Sequence, residues 1–132
     1  MERLNRKFET ARSFVPRPEI IKGNDATIGI IGYGTSHWGI TESRDQLRDE
    51  YAIETDYLRL KAYPFTREVH EFIEQHDRIY VVEQNRDAQM LTLLRLDLKP
   101  ELTTRLRSIA HITGLPLDAR SITDELTSME GK

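Results

Sequence analysis

Ile79-Tyr80-Val81-Val82-Glu83-Gln84-Asn85-Arg86-Asp87 is the stretch on which the fold turns. Four apolar residues in succession, Ile79 to Val82, suit a strand covered on both faces, as in a parallel α/β sheet. The stretch then becomes sharply polar. Glu83, Gln84, Asn85 and Arg86 fall at the carboxyl end of that strand, just ahead of a helix. In open α/β sheets that edge is where ligands and partner domains are met. The same pattern also fits a plain strand end with a capped helix behind it.

Outward from this stretch, strand and helix patterns alternate. Glu19-Ile20-Ile21 is a short extended segment, and Lys22-Gly23-Asn24-Asp25 is a turn. Ala26 to Gly32 reads as a strong strand, and Tyr33-Gly34-Thr35-Ser36 as a loop with Ser36 a candidate N-cap. A helix follows from about His37 to Tyr51, its inward stripe Ile40, Ser43, Leu47 and Tyr51. Ile53 to Leu60 is the next strand, and Lys61 to Phe65 a turn. Thr66 heads a helix to Gln75 with Val69, Phe72 and Ile73 inward. Beyond the Ile79 strand, a helix from about Asp87 to Leu96 carries Ala88, Leu91 and Leu94 on its apolar side. Asn85 is its expected N-cap. Pro100-Glu101-Leu102 starts a short helix or turn, and Leu106 to Ile112 is a last strand. Gly114-Leu115-Pro116 breaks the chain before a final helix to about Met129, capped by Asp118 or Ser121. The alternation predicts a three-layer α/β/α sandwich on a mostly parallel sheet.

The 132 residues suffice for one domain with a single core. Residues 1–18 read as a basic linker or arm, with Arg3, Arg6, Lys7, Arg12 and Arg17, and with Pro16 and Pro18 excluding helix. The α/β domain is expected over residues 19–132. No apolar run approaches the ~20 residues of a membrane span, and the first residues lack a signal-peptide core. A cytoplasmic location is the expectation. The chain has no cysteine, which excludes disulfides, thiolate nucleophiles and cysteine-held iron–sulfur clusters from its own residues. A net charge of −3 argues against general affinity for nucleic acid.

Candidate chemistry gathers in two loops. Gly32-Tyr33-Gly34-Thr35-Ser36 lies between strand and helix, where backbone amides can receive an anion. A dinucleotide fingerprint fails at His37 and a Walker loop fails at Ile40. The competing reading is that the glycines serve a tight turn and close helix packing. His37 is a conceivable acid or base, but no partner for it is legible. His70, His76 and His111 are scattered and form no zinc pattern. Trp38, alone at a helix start, reads first as packing, with a hinge or partner contact as the alternative. Glu83 could be a general acid, a cofactor contact, an acceptor for the amides of the next helix, or a partner of Arg86.

Asp56 to Phe65 and Arg78 to Gln89 resemble the alpha subunit of 2-oxoacid:ferredoxin oxidoreductases, as do Thr104 to Ile109 and Gly114-Leu115-Pro116. The likeness runs from about Arg6 to Leu126, and Val81-Val82-Glu83-Gln84-Asn85-Arg86-Asp87 is its most specific part. The resemblance implies the carboxyl-terminal domain of that subunit, similar to the third domain of transketolase-like enzymes. It implies five strands, the short one at Glu19–Ile21 antiparallel to the rest. It also implies thiamine diphosphate, magnesium and iron–sulfur clusters held elsewhere in the complex, and oxidative decarboxylation of a 2-oxoacid to its acyl-CoA with electrons passed to ferredoxin. The partners implied are the other alpha-subunit domains and a thiamine-binding beta subunit, with ferredoxin and CoA met through the complex. No acidic-Gly metal motif for thiamine diphosphate occurs here, so the isolated chain is expected to be inactive. Gly34, Thr35, Ser36, His37, Glu83, Gln84, Asn85 and Arg86 are then expected at a binding site or domain interface. Of these, Glu83, Gln84, Asn85 and Arg86 are expected to serve contact with neighbouring domains more than the stability of this one, with Asn85 the exception, since loss of an N-cap costs about 1 kcal/mol. The alternative is a free-standing α/β protein that binds a small ligand or anion at the same edge.

Overall fold

The computed structural model describes residues 16–84, 88–110 and 117–132. In chain order the elements are β1 (Glu19–Ile21), β2 (Ile28–Tyr33), α1 (Ser36–Tyr51), β3 (Thr55–Leu60), α2 (Arg67–Glu74), β4 (Arg78–Glu83), α3 (Gln89–Asp97), α4 (Pro100–Thr103), β5 (Leu106–Ala110) and α5 (Ala119–Met129). Five strands form one sheet in the order β1-β3-β2-β4-β5. β1 runs antiparallel to β3, pairing Glu19 with Arg59 and Ile21 with Tyr57. The other neighbours are parallel.

The Ile79 stretch supplies β4, an interior strand between β2 and β5, and its four apolar residues are wholly buried. They divide by parity, as a pleated strand requires. Ile79 and Val81 enter a cluster with Phe72 and Ile73 of α2, Leu91 and Leu94 of α3, and Leu102 of α4. Tyr80 and Val82 enter the opposite cluster with Ile40 and Leu47 of α1 and Ile122 and Leu126 of α5. The sheet is therefore sandwiched between α1/α5 and α2/α3/α4. A continuous apolar run is what a strand with helices on both faces needs.

The glycines serve close packing. A Cβ at Gly32 would collide with the Ile40 side chain of α1, so that helix seats directly on β2. Gly34 turns the chain at φ +60°, a left-handed conformation that costs glycine little.

Element ends differ from expectation in several places. β2 runs to Tyr33, and β3 starts at Thr55. Ile53 is buried ahead of β3, so its apolar character marks core and not strand. Ser36 lies inside α1, with Thr35 at the N-cap position and no side-chain cap bond. Tyr51 is only partly buried at the edge of its cluster. α3 begins after Ala88, which takes φ 49° at the N-cap position expected for Asn85. At α5 the expectation of Asp118 holds, since its carboxylate accepts the Ser121 amide at 2.7 Å. Residues 1–15, Asn85, Arg86, His111, Ile112 and Gly114-Leu115-Pro116 lie outside the described residues.

Candidate functional site at the carboxyl edge of the sheet

The connections diverge between β2 and β4. From β2 the chain moves through α1 to β3 on one side, and from β4 it moves through α3 to β5 on the other. Such a divergence leaves a crevice between the two strand ends, where doubly wound sheets receive ligands. The two loops singled out in the sequence border this crevice.

The crevice is bridged by the protein's own side chains. The Thr35 hydroxyl donates to Gln84 Oε1 at 2.8 Å. Beneath it, the Tyr33 hydroxyl donates to Glu83 Oε1 at 3.4 Å. Glu83 is fully buried. Its carboxylate also accepts the Met90 amide at 2.6 Å and the Leu91 amide at 3.1 Å. Those are orphan donors of the first turn of α3, which Ala88 cannot cap. Of the roles open to Glu83, acceptance of the amides of the next helix is the one seen among the described residues. A buried acceptor of this kind is integral to the domain, contrary to the small stability role expected of it.

Ser36 is likewise buried, whereas Gly34 and Thr35 are exposed and Gln84 is partly so. The Gln84 Nε2 is buried and has no hydrogen-bond partner among the described residues.

His37 has a partner that sequence did not reveal. Its Nδ1 lies 3.1 Å from the hydroxyl of Tyr57 on the adjacent β3, and the two rings stack at 5.7 Å. Tyr57 is fully buried, and burial pushes its pKa up to about 12. Its hydroxyl therefore stays protonated, and it has no other hydrogen-bond partner among the described residues; donation to Nδ1 satisfies its hydrogen, which leaves the hydrogen of neutral His37 on Nε2. Partial burial lowers the His37 pKa, the Arg59 guanidinium lowers it further, and Glu19 opposes them. Trp38 stands edge-on to His37 at 5.0 Å and is 76% exposed. The packing reading of Trp38 fails, because the first turn of α1 points this residue outward from the sheet edge.

Sequence reasoning also missed a buried polar knot at the opposite, amino edge. Asp56 Oδ1 accepts the Gly23 amide at 2.6 Å, and Asp56 Oδ2 lies 2.7 Å from His76 Nε2. The knot ties the β1–β2 turn to the end of α2. The separation of 20 positions between Asp56 and His76 hides the pair from any local pattern. Among the described residues, no three His, Cys, Asp or Glu side chains converge as a metal site. No helix among them is long and apolar enough to cross a membrane.

Fold and edge together define the class: an α/β/α domain whose switch-point crevice is closed from within and whose rim presents an exposed aromatic residue. No protein-family model matches the chain. It is 31% identical, over 124 residues, to 2-oxoacid:ferredoxin oxidoreductase 2, subunit alpha, of Aeropyrum pernix. That match covers 89% of the chain and 18% of the relative, so the chain spans about a fifth of the curated relative's length. The solved 2-oxoglutarate:ferredoxin oxidoreductase of Magnetococcus marinus, with 2-oxoglutarate, coenzyme A and succinyl-CoA bound, superposes with a TM-score of 0.75 at 18% identity. There the match covers 91% of this chain and 21% of that one. The alpha chain of a probable 2-oxoacid ferredoxin oxidoreductase from Thermoplasma acidophilum superposes at 0.55 and 21% identity, covering 88% of this chain and 98% of that one. The chain is a homologue of part of a 2-oxoacid:ferredoxin oxidoreductase alpha subunit, as its Val81 to Asp87 run resembles.

Proposed function

We propose that this chain is the structural and assembly domain of a 2-oxoacid:ferredoxin oxidoreductase, placed at the carboxyl-terminal end of its alpha subunit. One observation carries the reading: nearly the whole chain matches a small fraction of such a subunit. The carboxyl edge of the sheet then faces the remaining domains. Gly34, Thr35, His37 and Gln84 form its rim together with Trp38; Asn85 and Arg86, which follow Gln84 in the sequence, are assigned to the same interface as part of this proposal. Ser36 and Glu83 support that rim from beneath.

The domain's contribution is positioning. Thiamine diphosphate supplies the carbanion chemistry of this enzyme class, and the residues here do not fit it. Magnesium for its diphosphate has no converging carboxylate set among the described residues. Thiamine diphosphate, magnesium and iron–sulfur clusters belong to other parts of the complex, and no step is routed through this chain. The thiamine-binding beta subunit, ferredoxin and CoA are partners of the complex. Residues 19–132 form the domain, and residues 1–18 serve as the arm that leads into it.

A free-standing ligand binder is the less favoured reading. The crevice such a protein would use is spanned by the Thr35–Gln84 bond.

Native mass spectrometry of the protein from its source tests the assembly role. A stoichiometric complex with a thiamine-binding polypeptide is expected, and a free monomer overturns the reading. Trp38→Ala should weaken that complex about thirtyfold, since a buried interface tryptophan commonly contributes ~2 kcal/mol. The monomer should melt as before.

A further inference from the structure

The contacts around His37 carry a consequence for the behaviour of the rim. The ring is held by one hydrogen bond, from the Tyr57 hydroxyl to Nδ1. In turn it supports the only tryptophan of the protein, Trp38, through an edge contact at 5.0 Å and 65°. We propose that His37 and Trp38 form an acid-sensitive switch at the carboxyl edge, in which a proton taken up at His37 Nδ1 undoes the bond from Tyr57 and releases Trp38.

The chemistry is a simple protonation from solvent. Nδ1 changes from acceptor to donor. Tyr57 keeps its own hydrogen, because burial holds its pKa near 12. Tyr57 is fully buried, and to accept from Nδ1 its hydroxyl would have to turn that hydrogen away from the imidazole. There the described residues give it no other acceptor, and a buried unmade hydrogen bond is costly. The charged groups that face His37 are Arg59 on β3 and Glu19 on β1. Burial and Arg59 both oppose a cation at this position, and Glu19 only partly offsets them. The neutral, anchored ring is thus the resting form at neutral pH, and acid is the trigger.

The value of the switch to the protein rests on the reading of this edge as partner-facing. Above the transition Trp38 is a fixed aromatic anchor; below it, the anchor loses its backing. The chemistry is independent of that reading and is tested without a partner.

Emission of Trp38 is followed from pH 8 to 5 in the intact chain, since a neighbouring imidazolium and a neutral imidazole quench indole differently. One step is expected, with its midpoint below the ordinary histidine value of 6.5. The step should vanish in His37→Gln. In Tyr57→Phe its midpoint should move upward, because the bond favouring neutral His37 is gone. Proton NMR of the His37 ring in the unaltered chain gives the same midpoint without any substitution, and so guards against variants that fold poorly. A midpoint at or above 6.5, a step that persists in His37→Gln, or a midpoint unmoved or lowered in Tyr57→Phe overturns the switch. If the partner-facing reading alone is wrong, Trp38→Ala leaves the native complex intact at neutral pH while the fluorescence step remains.

Discussion

Glu83 shows how far a residue's role can lie from its place in the sequence. It ends β4, yet its carboxylate receives amides from α3 seven and eight residues later. Removing it leaves those first-turn donors unpaired and opens a void beside Tyr33. Losing a buried acceptor costs about 1–3 kcal/mol, so Glu83→Ala should lower unfolding stability by roughly 2–3 kcal/mol, read by urea denaturation. Glu83→Gln should cost less, since one amide oxygen still accepts. If Glu83→Ala unfolds at the same urea concentration as the parent, the cap is not holding α3. This residue was visible in the sequence as one of four consecutive polar positions. Its burial was not, because a polar residue at a strand end gives no local sign of whether the next helix folds back over it.

At the scale of elements, α5 is fastened at both ends by side-chain chemistry. At its start, Asp118 caps the Ser121 amide. Asp118→Ala should therefore cost about 1 kcal/mol, measured by thermal or urea unfolding. Past its end, Glu130 takes a paired contact from Arg78 at 2.6 and 2.8 Å and a hydrogen bond from Tyr80, both on β4. Burial by itself favours the neutral acid at Glu130, but the bonds from Arg78 and Tyr80 outweigh it and hold its pKa below the ordinary 4.5. A carboxyl depressed by folding adds stability that is complete above its unfolded pKa and fades as pH falls through the folded one. Unfolding experiments should thus show a stability loss below about pH 4.5 that is reduced in Glu130→Gln. Identical acid profiles for the two proteins would rule this out. The Asp118 cap was legible, being a polar residue just ahead of a helical pattern. The Glu130 contact was not, for it joins residues 52 positions apart across two layers.

On the scale of the whole molecule, both faces of the sheet are covered and each cluster is assembled from strands and helices distant in sequence. A core of this kind melts as a unit. The isolated chain should give one cooperative thermal transition by circular dichroism; a gradual, featureless melt would contradict it. The same chain should fail to decarboxylate 2-oxoacids when supplied with thiamine diphosphate, magnesium, CoA and a dye acceptor. Reduction of the dye above a protein-free blank, by a preparation free of other subunits, would refute that expectation.

The order of elements and the division into layers were determined by the sequence alone. Apolar runs such as Ile79 to Val82 must be buried on both sides, and the 3.6-residue periods of Val69–Phe72–Ile73 and Leu91–Leu94 supply the covering faces. These are local consequences of backbone geometry and the aversion of apolar surface for water. The glycines of the Gly32–Ser36 loop were also readable as packing and turn residues. The closure of the switch-point crevice, the inward turn of Glu83, the Tyr57 anchor of His37 and the exposure of Trp38 were decided only in three dimensions. Each depends on which strand lies beside which. That order is set by the summed packing of the sheet and its two helical layers, and no single stretch of chain encodes it.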